Sequence, residues 1–406
     1  MTQPGAGVRA PVEDRTRWVQ LGILATAMVL AMSTWFSTAA VLPQLRADWD
    51  LSQVGASWLA ISVQLGFVSG AVVSSVLNLA DRIPPRRFVL FGTVGAALAN
   101  LLTVGADGLP VAVPARFLVG ACLAGVYAPA LKAMSTWFVR GRGLALGAMV
   151  GALTLGSALP HLINGVGSLE WQVLIVITSI TTVVGGLVAV LLGRDGPHRF
   201  PTAVFNPAQI RDVVANPRVR LASTGYFGHM WELYAMWTWV AAFAADVVSG
   251  ARAASLVAFG AIGIGAAGCV VGGLISDRTS RCRAAGMAMT WSGAVAAFVG
   301  FLVDWPAWIV VALLLVWGFW VVADSAQFST IVTEVADQRY VGTALTMQLA
   351  IGFTLTVFTI FLVPVVRDAL GWGWAFALLV PGPAVGTWAM RRLERLTAAP
   401  TAAAAS

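Results

Sequence analysis

The feature that most constrains this chain is a rhythm of about twenty mostly apolar residues followed by a short polar or Gly/Pro-containing break, repeated twelve times. A helix rising about 1.5 Å per residue needs ~20 such residues to cross a hydrocarbon core. The stretches run at about 18–42, 55–80, 88–106, 111–136, 143–165, 171–193, 220–245, 253–276, 284–303, 307–332, 340–364 and 372–390. In lipid each must satisfy its own backbone hydrogen bonds, which a helix does. The expected fold class is therefore an all-α membrane protein with twelve transmembrane helices. Composition agrees, with 58% hydrophobic and 11% charged residues against about 25% charged in ordinary soluble domains.

A net charge of +7 raises the question of nucleic acid. That reading needs a basic face on a folded soluble domain, and here the charges lie in the breaks, so no nucleic-acid partner is expected. Counted on alternate sides, 20 Lys and Arg fall on the side of both termini and three (Arg46, Arg252, Arg367) on the other, while Arg116 and Lys132 lie within a span. The positive-inside rule then puts both termini in the cytoplasm, and the expected location is the bacterial cytoplasmic (inner) membrane. The first apolar stretch is too long for a secretory signal and lacks its small-residue cleavage site, so it counts as the first helix. Cys122, Cys269 and Cys282 fall in two spans and a loop, which supports neither a disulfide framework nor a metal site. No cofactor is expected.

The longest break, from about Arg194 to Arg220, contains Pro197, Pro201, Pro207 and Pro217 and separates six spans from six. The expected division is a cytoplasmic tail over 1–17, a six-helix bundle over 18–193, a central loop over 194–219, a second bundle over 220–390 and a disordered tail over 391–406. A basic turn recurs in equivalent places. Asp81 and Arg82 follow span two, and Asp277 and Arg278 follow span eight, 196 residues later.

With these loops the chain resembles the major facilitator superfamily, whose turn after spans two and eight reads Gly-x-x-x-Asp-Arg-x-Gly-Arg-Arg. The second copy keeps the leading Gly as Gly273, whereas the first has Leu77 there and Pro84 at the second Gly. Arg116-x-x-x-Gly120 is similar to a motif of proton-linked members. The resemblance implies two pseudo-symmetric six-helix bundles around a cavity lined by spans one, four, seven and ten, rocking to open one side at a time. It also implies a gating role for Asp81, Arg82, Asp277 and Arg278, because a carboxylate at a helix end can cap the positive N-terminus of a helix in the other half. Asp81 would meet the start of span eleven and Asp277 the start of span five. The competing reading is that these charges only mark a turn.

Ionisable groups inside spans are costly and mark cavities or partners. They are Arg116, Lys132, His161, His229, Glu232 and Asp324, with Glu334 at an edge. Glu232 lies mid-span, in a stripe with His229, Met236 and Trp239 at helical spacing, and a carboxyl there can load and release a proton. Asp324, on a face with Trp317, Trp320 and Gln327, is the second proton candidate. For both, a plain interhelical hydrogen bond is the alternative. Arg116 and Tyr127, eleven residues apart on nearly one face, can present a cation and a phenol to an anionic solute. Trp35, Phe36, Trp239 and Gln327 are further candidates for the cavity wall, as are the aromatics Trp231, Tyr234 and Trp237. His161, near Pro160 and Asn164, reads more simply as a satisfied polar residue.

Gly263-Ile-Gly265-Ala-Ala-Gly268 matches a dinucleotide fingerprint by letters only, since no strand precedes it. It reads as close helix packing, as do Gly143, Gly147 and Gly151. With no Walker sequence, metal cluster or soluble domain, an ATP-driven pump and an enzyme are both disfavoured. The leading expectation is a monomeric, proton-coupled secondary transporter of a small organic solute, with an anionic one among the candidates. Residues Trp35-Phe-Ser, Trp231-Glu-x-Tyr and Trp137-Phe-x-x-Arg-Gly loosely resemble bacterial cyanate and nitrate/nitrite porters, although spans two and eight lack the arginines that nitrate carriers place there. The alternatives are a proton-coupled multidrug or lipophilic-cation efflux pump and, in another class, a passive channel or membrane sensor.

Overall fold

The computed structural model describes residues 10–138, 141–167, 169–198 and 205–398. Helices α1 to α12 follow the apolar rhythm. The first half contains α1 (Ala10–Ala31), α2 (Gln53–Val76), α3 (Pro85–Leu102), α4 (Leu109–Ser135), α5 (Arg142–Gly167) and α6 (Trp171–Leu191). The second half contains α7 (Pro217–Val247), α8 in two pieces (Ala251–Gly263 and Gly265–Arg278) and α9 (Arg281–Phe298). It continues with α10 in two pieces (Ala307–Val321 and Ser325–Val335), α11 (Val341–Leu370) and α12 in two pieces (Trp372–Ala377 and Pro381–Ala398). Among the described residues, ten helical segments are long and apolar enough to cross a membrane. The other two are α7, which is diluted by His229, Glu232 and its indoles, and α12, which ends in arginines.

Three expected boundaries shift, and the central loop carries a helix. Helix α1 starts at Ala10, inside the expected tail over 1–17. The expected central loop carries a short helix, Ile210–Ala215, and α7 begins at Pro217, where Asn216 accepts hydrogen bonds from the backbone N–H groups of Arg218 and Val219. That cap satisfies two otherwise orphaned donors, and Pro217 has no N–H to lose. The segment from 391 is helix through Ala398 rather than disordered, and 399–406 lie outside the described residues.

The first span is not one continuous helix. After Ala31 the chain passes through a tight 3-10 turn (Met32–Thr34) and the short helices Ser37–Ala40 and Leu42–Asp48. Pro43, near the start of the last piece, disfavours α backbone in the residue before it and removes a donor. The Ser and Thr side chains of the break compete for backbone partners. Span ten breaks likewise at Val322–Asp324.

The halves meet along two helix pairs. In the first, α5 lies against α8 with glycines at the contact: a Cβ on Gly147 would come within 2.8 Å of the Cys269 carbonyl, and one on Gly151 within 3.0 Å of that of Ala266. Gly268 and Gly272 bring α8 still closer to the backbone of span ten at Phe319 and Ala323. These contacts show the Gly-rich stretch packing helices closely together. In the second pair, α2 lies against α11, through Ser75 and Thr346 hydroxyls 3.4 Å apart and Phe67 and Phe353 rings 4.7 Å apart.

Candidate functional site

In the first half, Arg116 of α4 is completely buried. One terminal nitrogen donates to the Thr34 carbonyl (3.0 Å), Ser37 Oγ (3.0 Å) and Asn100 Oδ1 (2.7 Å). The other donates to the Trp35 carbonyl at 2.5 Å. The break in span one explains this arrangement, because irregular backbone in a membrane leaves carbonyls that need donors, and a planar guanidinium serves several at once. Asn100 of α3 completes the hub by donating to the Ile175 carbonyl and to Thr178 and Ser179 of α6. Arg116 thus faces into its own bundle. Tyr127, eleven residues further along α4, is half-buried toward Phe67 of α2, with ring centroids 6.5 Å apart.

In the second half, both Glu232 oxygens are held: Trp317 Nε1 donates to Oε1 at 2.7 Å and Ser292 Oγ donates to Oε2 at 2.8 Å. One turn earlier on α7, His229 Nδ1 lies 2.8 Å from Asp324 Oδ1, and its Nε2 is 2.8 Å from Ser325 Oγ. All four of Glu232, His229, Asp324 and Trp317 are buried. The break in span ten places Asp324 at this meeting point, so it does not continue the helical face of Trp317 and Trp320 expected from an unbroken span. The structure therefore gathers the three expected proton-coupling residues into one cluster between α7, α9 and α10. Glu334 stands apart, paired at the surface with Arg281 at 2.6 Å.

Aromatic rings fill the space between the halves. Trp35 lies nearly parallel to Tyr234 of α7 (centroids 5.8 Å, 23°), and Phe36 is 6.3 Å from the same ring at 11°. Trp237 packs edge-on to Phe36 at 5.8 Å, while Phe67 and Phe353 close the remaining sides. Trp239, expected at the cavity wall, instead donates its Nε1 to the Ile360 carbonyl of α11. Gln327 is buried, and its Oε1 has no partner among the described residues. His161 is buried on α5 with neither ring nitrogen bonded among the described residues, contrary to the expectation of a satisfied histidine.

Of the loop residues, Asp277 sits at the first turn of α5, where a Cβ on Gly143 would lie 2.9 Å from its Oδ1. This is the helix start anticipated for it. Arg82 and Arg278 are exposed, and the Asp81 side chain lies outside what the structure describes. Sequence reasoning missed Asn100, Ser292, Phe67 and Phe353. Asn100 had a signal, as a lone amide within an apolar span; a serine or phenylalanine in such a span has none.

The profile of the Major Facilitator Superfamily matches residues 24–355 of the chain. Among curated proteins, the agnestins efflux protein AgnL12 of Paecilomyces divaricatus is 24% identical over 313 residues, covering 73% of this chain and 69% of its own length. The multidrug efflux pump LfrA of Mycolicibacterium smegmatis is 29% identical over 150 residues, 36% of this chain and 29% of the pump. Among solved structures, the fold matches a bacterial homologue of the human lysosomal transporter Spinster in its inward-facing, occupied conformation, with a TM-score of 0.68, 15% identity and coverage of 93% and 97% of the two chains. The unoccupied inward-facing form matches with a TM-score of 0.66, 16% identity and coverage of 93% and 98%.

Proposed function

The chain belongs to the Major Facilitator Superfamily and is a multi-pass membrane transporter, not an enzyme; from that premise we propose that it is a proton-coupled secondary carrier of a small organic solute. On this reading it is a monomer in the bacterial cytoplasmic membrane with both termini in the cytoplasm, and its halves rock to expose the central site to one side at a time. The observation that carries the proton role is the buried cluster in which neutral donors, Ser292 and Trp317, hold Glu232 while His229 faces Asp324. A carboxyl held by neutral donors can exist with or without its proton, and a rocking half can present it to either side in turn. Arg116 is already committed to the carbonyls of span one, so the geometry lends the anionic preference no support. An outward direction is the second reading, favoured by two curated relatives that are both named for efflux.

The test is flux in proteoliposomes. An imposed pH gradient should drive accumulation of a transported solute by the wild type, whereas Glu232→Gln should abolish accumulation and still allow exchange between equal pools. Equal, gradient-independent flux in both proteins would point to a passive channel. Full coupling in the variant would move the proton role to Asp324.

A further inference from the structure

The indole N–H groups show where the fold has left hydrogen-bonding capacity unused. Six tryptophans are buried: Trp35, Trp171, Trp237, Trp239, Trp317 and Trp372. Four of them donate to an oxygen, Trp171 to Asp48, Trp239 to the Ile360 carbonyl, Trp317 to Glu232 and Trp372 to Asp246. Trp35 and Trp237 have no partner for Nε1 among the described residues, and these are the two that pack across the contact between the halves. A buried donor left unpaired is costly, and the two unpaired indoles lie where the rings of Trp35, Phe36, Tyr234 and Trp237 meet.

The same centre offers no opposite charge. The donors and acceptors around Arg116 all belong to the first half, and those around Glu232 and the His229–Asp324 pair all belong to the second. Among the described residues, an anion there would meet the negative faces of the rings without a cation beside them. A cation would find ring faces, but no carboxylate aimed at it.

We infer that the central site, once the halves part, takes an uncharged, flat aromatic solute carrying hydrogen-bond acceptors, packed against these rings and held through its acceptors by the indole N–H groups of Trp35 and Trp237. The inference rests on the carrier reading for turnover but not for binding. A ligand engaging both indoles would bridge span one and α7, so it would be held by both halves at once.

Equilibrium dialysis of the full chain in lipid nanodiscs, corrected with empty discs, tests this with four probes. They are 7-methoxycoumarin (neutral, conjugated, with carbonyl and ether acceptors), naphthalene (flat, no acceptor), coumarin-3-carboxylate (anionic) and tetraphenylphosphonium (cationic). 7-Methoxycoumarin should bind saturably and at least about tenfold more tightly than the others. Trp35→Phe and Trp237→Phe, which keep a ring and lose the donor, should each weaken it about tenfold, the effect of one buried hydrogen bond. Trp171→Phe should leave it unchanged. The inference is overturned by absent saturable binding of 7-methoxycoumarin, by equal or tighter binding of either charged probe, or by unchanged binding in both central variants. If a variant does not fold, the coumarin and naphthalene comparison on the wild type carries the same test. Proteoliposome flux separates the two ideas. The expected binding pattern without flux would remove the carrier reading and keep the solute class, whereas flux of a charged probe alone would do the reverse.

Discussion

Arg116 and Glu232 are each a buried, hydrogen-bonded centre of their own half. The first ties the α3–α4 pair to span one, and the second ties α7 to α9 and span ten. Arg116→Ala would strand the Trp35 carbonyl and leave the Thr34 carbonyl and Asn100 Oδ1 to share the one Ser37 hydroxyl, and should lower stability by about 3 kcal/mol, read as a fall in thermal unfolding temperature. Arg116→Lys should recover only part of that, because a single ammonium cannot span both Asn100 and the Trp35 carbonyl as the planar fork does. Wild-type stability of Arg116→Ala would show that the hub is dispensable. Glu232→Gln is structurally milder, since an amide oxygen can still accept from Trp317 while its NH₂ donates to Ser292. Its expected loss of proton-driven accumulation would therefore report on the proton and not on packing. Asp324→Asn, tested beside it, should have the weaker effect if Glu232 is the carrier.

Among the elements, α5 and α8 form the tightest seam between the halves. Gly147 meets the Cys269 carbonyl directly, and backbone cannot yield as a flexible side chain can. Gly147→Leu should wedge the helices apart and reduce transport at least tenfold with little loss of expression, checked by flux per folded protein. Unaltered flux would mean that this seam opens in every cycle and tolerates bulk. The turn between α10 and α11 is insulated from physiological pH. Hydrogen bonds from Arg339 hold the Asp337 carboxyl down at about 2. A lowered carboxyl value means that the contact is intact above the usual carboxylate range and fades only as pH falls through about 2. A change in transport between pH 5 and 8 should thus persist in Asp337→Asn.

For the whole molecule, the balance of conformations is expected to depend on Asp277, whose carboxylate lies against the positive N-terminus of α5 in the other half. Asp277→Asn should cut transport strongly while leaving equilibrium binding nearly intact. Labelling of engineered cysteines on the two sides should shift toward the state in which this end is open. A large loss of binding with unchanged labelling would place Asp277 in recognition and not in gating.

Twelve spans, two halves and the recurring Asp-Arg turns were legible in the chain, because membrane crossing is a matter of local length and polarity, and helical backbone satisfies itself without reference to neighbours. The identities of the buried ionisable residues were legible for the same reason. Their partners were not. Arg116 turns toward span one, and Trp239 toward α11, because of breaks and helix rotations that depend on which carbonyls neighbouring helices leave open. Periodicity predicted a continuous face for Asp324, yet span ten breaks at Val322–Asp324 and redirects it to His229. The unpartnered indoles of Trp35 and Trp237 likewise look no different in sequence from the four that are bonded. Hydropathy is a property of each residue alone, whereas hydrogen-bond satisfaction in a low-dielectric interior is a property of pairs, and pairs exist only once the helices have packed.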